Sequence, residues 1–476
     1  MKPTSLQDLE QDVARDLTLI EYPSAPWVPR RTDGKAVLDV LIVGGGQGGL
    51  TIASYLLRQQ VKNILVVDES RAGEEGLWTR FARMHTLRTA KTIGGPDLGI
   101  PSLTFRAWYE AQHGAAAFER IKYIAKEDWQ AYLIWFRKIL ALPVRNETRF
   151  LGVHPDGDLL AVRLAQADGE RTVLTRKLVL AGGIETSGVW WMPPEIEALP
   201  KALRAHTADA IDFKALKGKR VIVVGAAASA FDNAATALEH GASVRMLCRR
   251  ADLQRVQPYK VLAFPGFLQD FGTLPDADRW SMMHYLLNVR EALTVETWER
   301  TTRHTNFELI TSAGVRGASA QNGVARLDTA RGAFEADFVI CGTGFDMNLG
   351  ARPELVGVAE HVATWADRYK PPQDEMSERL GRYPYLDSGM AFVEKTPGMA
   401  PWVTNIYCFN FGATLSFGPS GSSISALKYA APRLARSIIA DLFRADFAAH
   451  RAMIRNYATP EFEFIFARDI AVSATG

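Results

Sequence analysis

Leu38–Val43 runs straight into Gly44-Gly45-Gly46-Gln47-Gly48-Gly49, and Leu50–Leu57 continues with the apolar face of a helix. An apolar run emptying into glycines and then a helical pattern predicts a strand–turn–helix unit that cradles a dinucleotide. Gly44 makes the turn tight, Gly46 lets the backbone approach a pyrophosphate, and Gly49 lets the helix pack closely on the strand. Free N–H groups and the positive dipole end of the helix then favour phosphate. The next strand, Ile64–Val67, ends at Asp68, 24 positions beyond Gly44, where a carboxylate accepts hydrogen bonds from ribose hydroxyls. That carboxylate repels a 2′-phosphate, so this unit fits FAD or NAD rather than NADP.

The same plan recurs at Val221–Val224, followed by Gly225-Ala226-Ala227-Ala228-Ser229-Ala230. Gly225 keeps the turn, while Ala227 and Ala230 stand in the middle and last glycine places. A methyl group is readily tolerated at Ala230, but at Ala227 it should push the pyrophosphate outward or shift the backbone. The following strand, Ser243–Cys248, ends in Arg249-Arg250. Guanidinium forks at a strand end pair with a 2′-phosphate and favour NADPH over NADH, whereas the bland reading is a solvated basic pair. Two such units in one chain predict an enzyme that holds two dinucleotides and passes electrons between them.

Composition fits that division. At 476 residues the chain is too long for one ordinary core, and 47% hydrophobic residues is ample for globular folding. The 55 basic and 53 acidic side chains nearly cancel, and with no basic tract or zinc-finger spacing a nucleic-acid partner has no support. There is no 18-residue uncharged apolar run and no signal pattern, so no membrane association is expected and the expected location is the cytoplasm. Cys248, Cys341 and Cys408 lie far apart beside apolar residues, as buried small hydrophobes rather than a redox pair or a metal site. Trp129, Tyr132 and Phe136 share one helix face, as core.

The organisation resembles the class B flavoprotein monooxygenases, the group of flavin-containing, Baeyer–Villiger and N-hydroxylating monooxygenases. The likeness rests on Gly44–Gly49 with Asp68, on Gly76-Leu77-Trp78, on Gly225–Ala230 with Ser229 and Arg249, and on Gly342-Thr343-Gly344-Phe345. It covers Val37 to Leu442 and implies an α/β fold with two Rossmann-like dinucleotide-binding domains, the second inserted within the first. Residues 1–36 are then an N-terminal extension and 37–211 the first part of the FAD-binding domain. Residues 212–345 form the NADPH-binding domain, and 346–476 the second part of the FAD domain with a C-terminal helix. There, Asn405–Phe411, Gly418-Pro419-Ser420-Gly421-Ser422-Ser423 and Ile424–Leu442 read as a strand, loop and helix that could aim N–H groups at the flavin.

Such likeness implies FAD and NADPH as cofactors, with Trp78, Gly342 and Gly344 among the residues that bind them. It also implies hydride transfer to FAD, oxygen activation as a flavin C4a-(hydro)peroxide, and insertion of one oxygen atom into a small organic substrate. Positioning and exclusion of water are left to the protein. Two places depart from the family pattern. His206-Thr207 fills the family's histidine place, but Pro200 and Ala202 stand where a Phe and a Gly are usual. Arg88 precedes Lys91 by three residues where flavin-containing monooxygenases tend to carry Asn. Arg88 and Lys91 are therefore candidate catalytic side chains for orienting an acidic substrate or an oxyanion. His206 is a candidate for orienting nicotinamide or coupling the domains. On the bland reading Arg83, Arg88 and Lys91 face solvent or pair with carboxylates, and His206 is structural. Amines, sulfides, ketones and an electron-rich heterocycle such as a purine all stay open as substrates, and a homo-oligomer is compatible with the sequence. Two other classes compete: an NAD(P)H-flavin oxidoreductase passing electrons to another acceptor, and a noncatalytic flavin-binding redox protein rationalised by Ala227 and Ala230.

Overall fold

The apolar run becomes the strand Val37–Val43, paired in parallel with Ile64–Val67 on one side and Gly169–Leu180 on the other. Being covered on both faces, it buries Val40, Leu41 and Ile42 completely, the pattern expected of a parallel strand between helices. These details come from a computed structural model that describes residues 5–22, 25–31, 34, 36–92, 94–289, 291–419 and 423–462.

Gly169–Leu180 is long enough to serve two partners on its far edge. Its first half pairs antiparallel with Leu159–Gln166, which in turn pairs with Arg149–Asp156. Its second half pairs in parallel with Ile406–Cys408. The chain therefore leaves this sheet after Leu180 and returns to it near its C-terminal end.

In between lies a second, five-stranded sheet in the order Arg204–His206, Phe338–Cys341, Arg220–Val224, Ser243–Leu247, Phe307–Ile310, all parallel. The helix Ala228–Glu239 covers one face through Phe231, Ala234 and Leu238. An antiparallel meander, Val315–Gln321, Val324–Thr329 and Gly332–Ala336, covers the other through Ala325, Leu327 and Ala336. The helix Asp276–Val289 joins neither face. Its Trp280, Met283 and Leu287 pack with Met347, Trp365, Leu380 and Leu415, so this stretch reaches back over the C-terminal part of the chain.

Most of the local expectations agree with the elements seen. Trp129, Tyr132 and Phe136 are core residues, and all three cysteines are buried and free. The helix Leu427–Ala445 follows a 3-10 turn at Ile424–Ala426, and the strand before it is confined to Ile406–Cys408. Within the N-terminal extension, Leu6–Leu19 is a helix capped by Ser5 that sends Leu9 and Val13 into the main core. Among the described residues no helix is long and apolar enough to cross a membrane.

Candidate active site

The first glycine turn is built by close backbone contact. Gly44 has φ +110°, and a Cβ there would stand 2.7 Å from the carbonyl oxygen of Ala181. A Cβ on Gly49 would lie 1.8 Å from the carbonyl oxygen of Gly44, so helix and strand touch where only glycine fits. Gly46 faces Gly76 across the turn, with 3.6 Å between its would-be Cβ and the Gly76 Cα. No side chain caps the helix Gln47–Arg58, which leaves its first N–H groups open. Asp68 closes the unit: its Oδ2 accepts from the Gly45 N–H at 2.7 Å and its Oδ1 from the Ser70 N–H at 2.8 Å. A carboxylate has lone pairs to spare beyond these two, so ribose hydroxyls can still be bound.

The second turn reproduces this geometry with a reciprocal exchange of methyl groups. Gly225 has φ +111°, and a Cβ there would sit 2.4 Å from the Gly342 carbonyl oxygen. Ala230 is fully buried, and a Cβ on Gly342 would come within 2.5 Å of the Ala230 methyl. Alanine is accepted at the last place because position 342 carries no side chain. Ala227 starts the helix with φ −86° and ψ 173°, the same extended backbone as Gly46 with φ −75° and ψ −168°. The backbone is therefore not shifted, and the Ala227 methyl stands exposed beside an uncapped helix start where Ser229 is exposed too.

A cleft of about 1080 Å³ opens from the first turn and is lined by Gly44, Gly46, Asp68, Gly76 and Trp78. Its walls continue past Arg88 and Trp190 to Phe411 and Thr414, then to Tyr259 and Leu268. Thr186 and Thr414 each present a buried hydroxyl to it that has no hydrogen-bond partner among the described residues. Buried polar groups are normally satisfied, so two orphaned hydroxyls beside an open helix start mark a place built for a polar ligand. Together with the glycine cradle, they fit a dinucleotide with a fused polar ring. Residues 420–422 of the candidate loop Gly418–Ser423 lie outside the described residues, while Pro419 and Ser423 line the cleft.

The candidate catalytic residues have different surroundings. Arg88 lines the cleft, and its Nη2 donates to Asp232 Oδ2 at 2.8 Å. Asp232 is buried, and burial holds its carboxyl above the ordinary carboxylate range against the pull of Arg88 and Arg300. Lys91 is not among the cleft residues: its Nζ donates to the carbonyls of Phe118 at 2.6 Å and Glu119 at 3.1 Å, at the end of the helix Ala115–Arg120. Arg83 lies over the Phe213 ring and donates to the Arg80 carbonyl. His206 is buried, with Nε2 3.1 Å from the Gly344 carbonyl and Nδ1 accepting from the Ala208 N–H. Its ring stacks on Trp190, which lines the cleft. Burial lowers its pKa, so the imidazole is neutral with the proton on Nε2.

The two arginines at the end of Ser243–Leu247 part company. Arg250 donates to the carbonyls of Asn288 and Val289 and is committed to a helix C-terminus. Arg249 is exposed and, among the described residues, makes no hydrogen bond or ion pair. The distal wall, with Gln257, Tyr259, Lys260, Leu262 and Leu268, carries no motif; Tyr259 and Leu262 pack on the same buried cluster as the Asp276–Val289 helix, and the helix Pro265–Asp270 that bears Leu268 also packs against Leu427–Ala445.

Residues 41–284 match the family model described as pyridine nucleotide-disulphide oxidoreductase. The chain is 41% identical over 456 residues to an FAD-dependent urate hydroxylase of Xanthomonas campestris pv. campestris, covering 95% of this chain and 96% of that protein. Among solved structures, the ornithine hydroxylase of Pseudomonas aeruginosa superposes with a TM-score of 0.68 at 17% identity, over 85% of this chain and all of that one. An ornithine N-hydroxylase of Kutzneria sp. 744 superposes with a TM-score of 0.66 at 18% identity, over 85% and 99% of the two chains.

Proposed function

The chain belongs to the pyridine nucleotide-disulphide oxidoreductase family and, within it, to the class B flavin monooxygenases, and from that premise we propose that it hydroxylates a purine of the urate type. It is an FAD-dependent, NADPH-driven monooxygenase: O2, NADPH, a proton and the substrate yield hydroxylated substrate, NADP+ and water. The end-to-end likeness to a urate hydroxylase carries the choice of substrate.

The first turn would hold FAD, with Gly44, Gly46 and Gly49 taking the pyrophosphate, Asp68 the ribose, and Trp78, Thr186 and Thr414 available to the flavin ring. When bound it supplies the electron storage and oxygen activation that no side chain offers. The second turn would hold NADPH through Gly225, Ala227, Ser229 and Ala230, and Arg249 would read its 2′-phosphate. Residues 212–345 act as a second dinucleotide unit set within a first one formed by 37–211 and 346–476. The strand Ile406–Cys408, paired with Gly169–Leu180, supports this reading. Gly342 and Gly344 serve that unit through the Ala230 contact and the His206 hydrogen bond.

The protein's own work is to hold the purine against the ring and keep water out. Met84, Leu87, Leu262, Leu268 and Phe411 give the cleft apolar walls suited to a flat heterocycle. Lys122 and Lys260 line it without a carboxylate partner among the described residues, and so can meet the negative charge of an oxypurine anion. A cation at this point orients the anion without taking part in bond making. Turnover with urate under labelled oxygen tests the proposal.

A further inference from the structure

We propose that Asp232 is a positioning residue that ties the nucleotide helix Ala228–Glu239 to the cleft-wall strand Thr86–Ala90, so that seating NADPH sets the wall against which the substrate is oxidised. The inference rests on reading that helix as the NADPH phosphate site.

Asp232 lies just over one turn from the open helix start at Ala227. Its side chain is only 4% exposed, yet it meets two hydrogen-bond donors and one further cation from outside its own helix. Arg88 Nη2 reaches one oxygen at 2.8 Å; Thr297 Oγ1 at 3.1 Å and Arg300 Nη1 at 3.8 Å reach the other. A second tie runs from the same helix. Arg300 clasps Glu239 with Nε at 3.0 Å and Nη2 at 2.9 Å while its Nη1 donates to the Arg83 carbonyl at 3.2 Å. Thr86 Oγ1 completes the tie by donating to Glu296 at 2.7 Å. Segment 83–88 is thus fastened toward both ends of the nucleotide helix. The fastening at Asp232 is the one made by a side chain that itself lines the cleft.

Asp232 cannot readily let go of Arg88, because separation leaves a buried carboxylate with only the Thr297 hydroxyl and the more distant Arg300 to offset it in a low-dielectric place. Helix and strand therefore shift together, and the helix is positioned by the phosphates at its N-terminus. With the pair broken, NADPH can still bind, but the wall at Arg88 no longer follows it. Water then enters, and O2 plus NADPH plus a proton leave as NADP+ and H2O2 without oxidising the substrate.

The test compares wild type with Asp232→Asn, Arg88→Lys and the double variant by hydrogen exchange read by mass spectrometry, with and without NADP+, and by H2O2 released per NADPH consumed. In wild type, NADP+ should protect amides both in 228–239 and in 84–91. In either single variant, protection at 228–239 should persist while that at 84–91 is lost, and the H2O2 fraction should rise at least about fivefold. The double variant should be no worse than the poorer single one, because both remove the same tie. Should Asp232→Asn not retain FAD, Thr297→Val takes its place, with the same signature at smaller amplitude. Protection at 84–91 surviving in the variants, or peroxide effects that multiply in the double variant, overturns the proposal. Absence of protection at 228–239 in wild type instead overturns the nucleotide reading beneath it.

Discussion

Ala230 and Gly342 are matched across the second dinucleotide turn: a Cβ at 342 would lie 2.5 Å from the Ala230 methyl and 2.8 Å from its Cα. Gly342→Ala should therefore overpack this contact and cost about 1–3 kcal/mol. Combining it with Ala230→Gly should recover the part of that loss due to the methyl contact, while the 2.8 Å approach to the residue 230 Cα and the helix penalty of a glycine remain. Thermal unfolding of the two single variants and the double checks it; a double variant as unstable as the sum of the singles argues against a reciprocal fit.

FAD retention should depend on the first turn. At Gly44, φ +110° and the 2.7 Å approach to Ala181 exclude a side chain, while Gly46 faces the cleft. Gly44→Asp and Gly46→Asp should each bring the flavin content of purified protein close to zero, the first by backbone strain and the second by placing a carboxylate at the pyrophosphate. Flavin content equal to wild type in both variants would remove FAD from this turn.

Coenzyme choice should separate the two neighbouring arginines. Arg249 is free of protein partners among the described residues, whereas Arg250 is engaged by Asn288 and Val289. Loss of a charge-assisted contact of about 1.5–3 kcal/mol predicts that Arg249→Ala weakens NADPH roughly 10- to 100-fold more than NADH. Arg250→Ala should affect both coenzymes alike. Steady-state kinetics with each coenzyme decides, and the opposite ranking of the two variants would transfer the role to Arg250.

Stability should carry a histidine signature. Burial lowers the pKa of His206 below its ordinary 6.5, so the unfolded chain binds this proton more readily than the folded one. The contribution of a neutral His206 is complete above about pH 6.5 and is lost as the pH falls through the window down to the lowered folded value. His206→Gln should flatten the pH dependence of Tm in that window. An unchanged slope between wild type and variant would show that another group is responsible.

Both glycine turns are legible in the sequence because strand, turn and helix are contiguous, and Asp68 sits at a fixed distance set by the same unit. The buried aromatic face of Trp129, Tyr132 and Phe136 is legible for a similar reason, helical spacing. What is not legible depends on distant partners. Arg88 and Lys91 look alike as neighbouring cations, yet one meets Asp232, 144 positions away, and the other turns to the carbonyls of Phe118 and Glu119. Arg249 and Arg250 are likewise told apart only by where the helix Asp276–Val289 ends. The wall from Gln257 to Leu268 has no signature, because its place follows from packing of Tyr259, Leu262 and Phe267 against the distant residues of the cluster that holds Trp280, Trp365 and Leu415.

The central claim is tested most directly by supplying the FAD-loaded enzyme with NADPH, urate and ¹⁸O-labelled O2, and following label and electrons together. The expected result is one labelled oxygen atom in each molecule of hydroxylated purine, the second in water, and one NADPH consumed per product. NADPH oxidation that leaves urate unlabelled and returns its electrons as H2O2, or passes them to another acceptor, would contradict it.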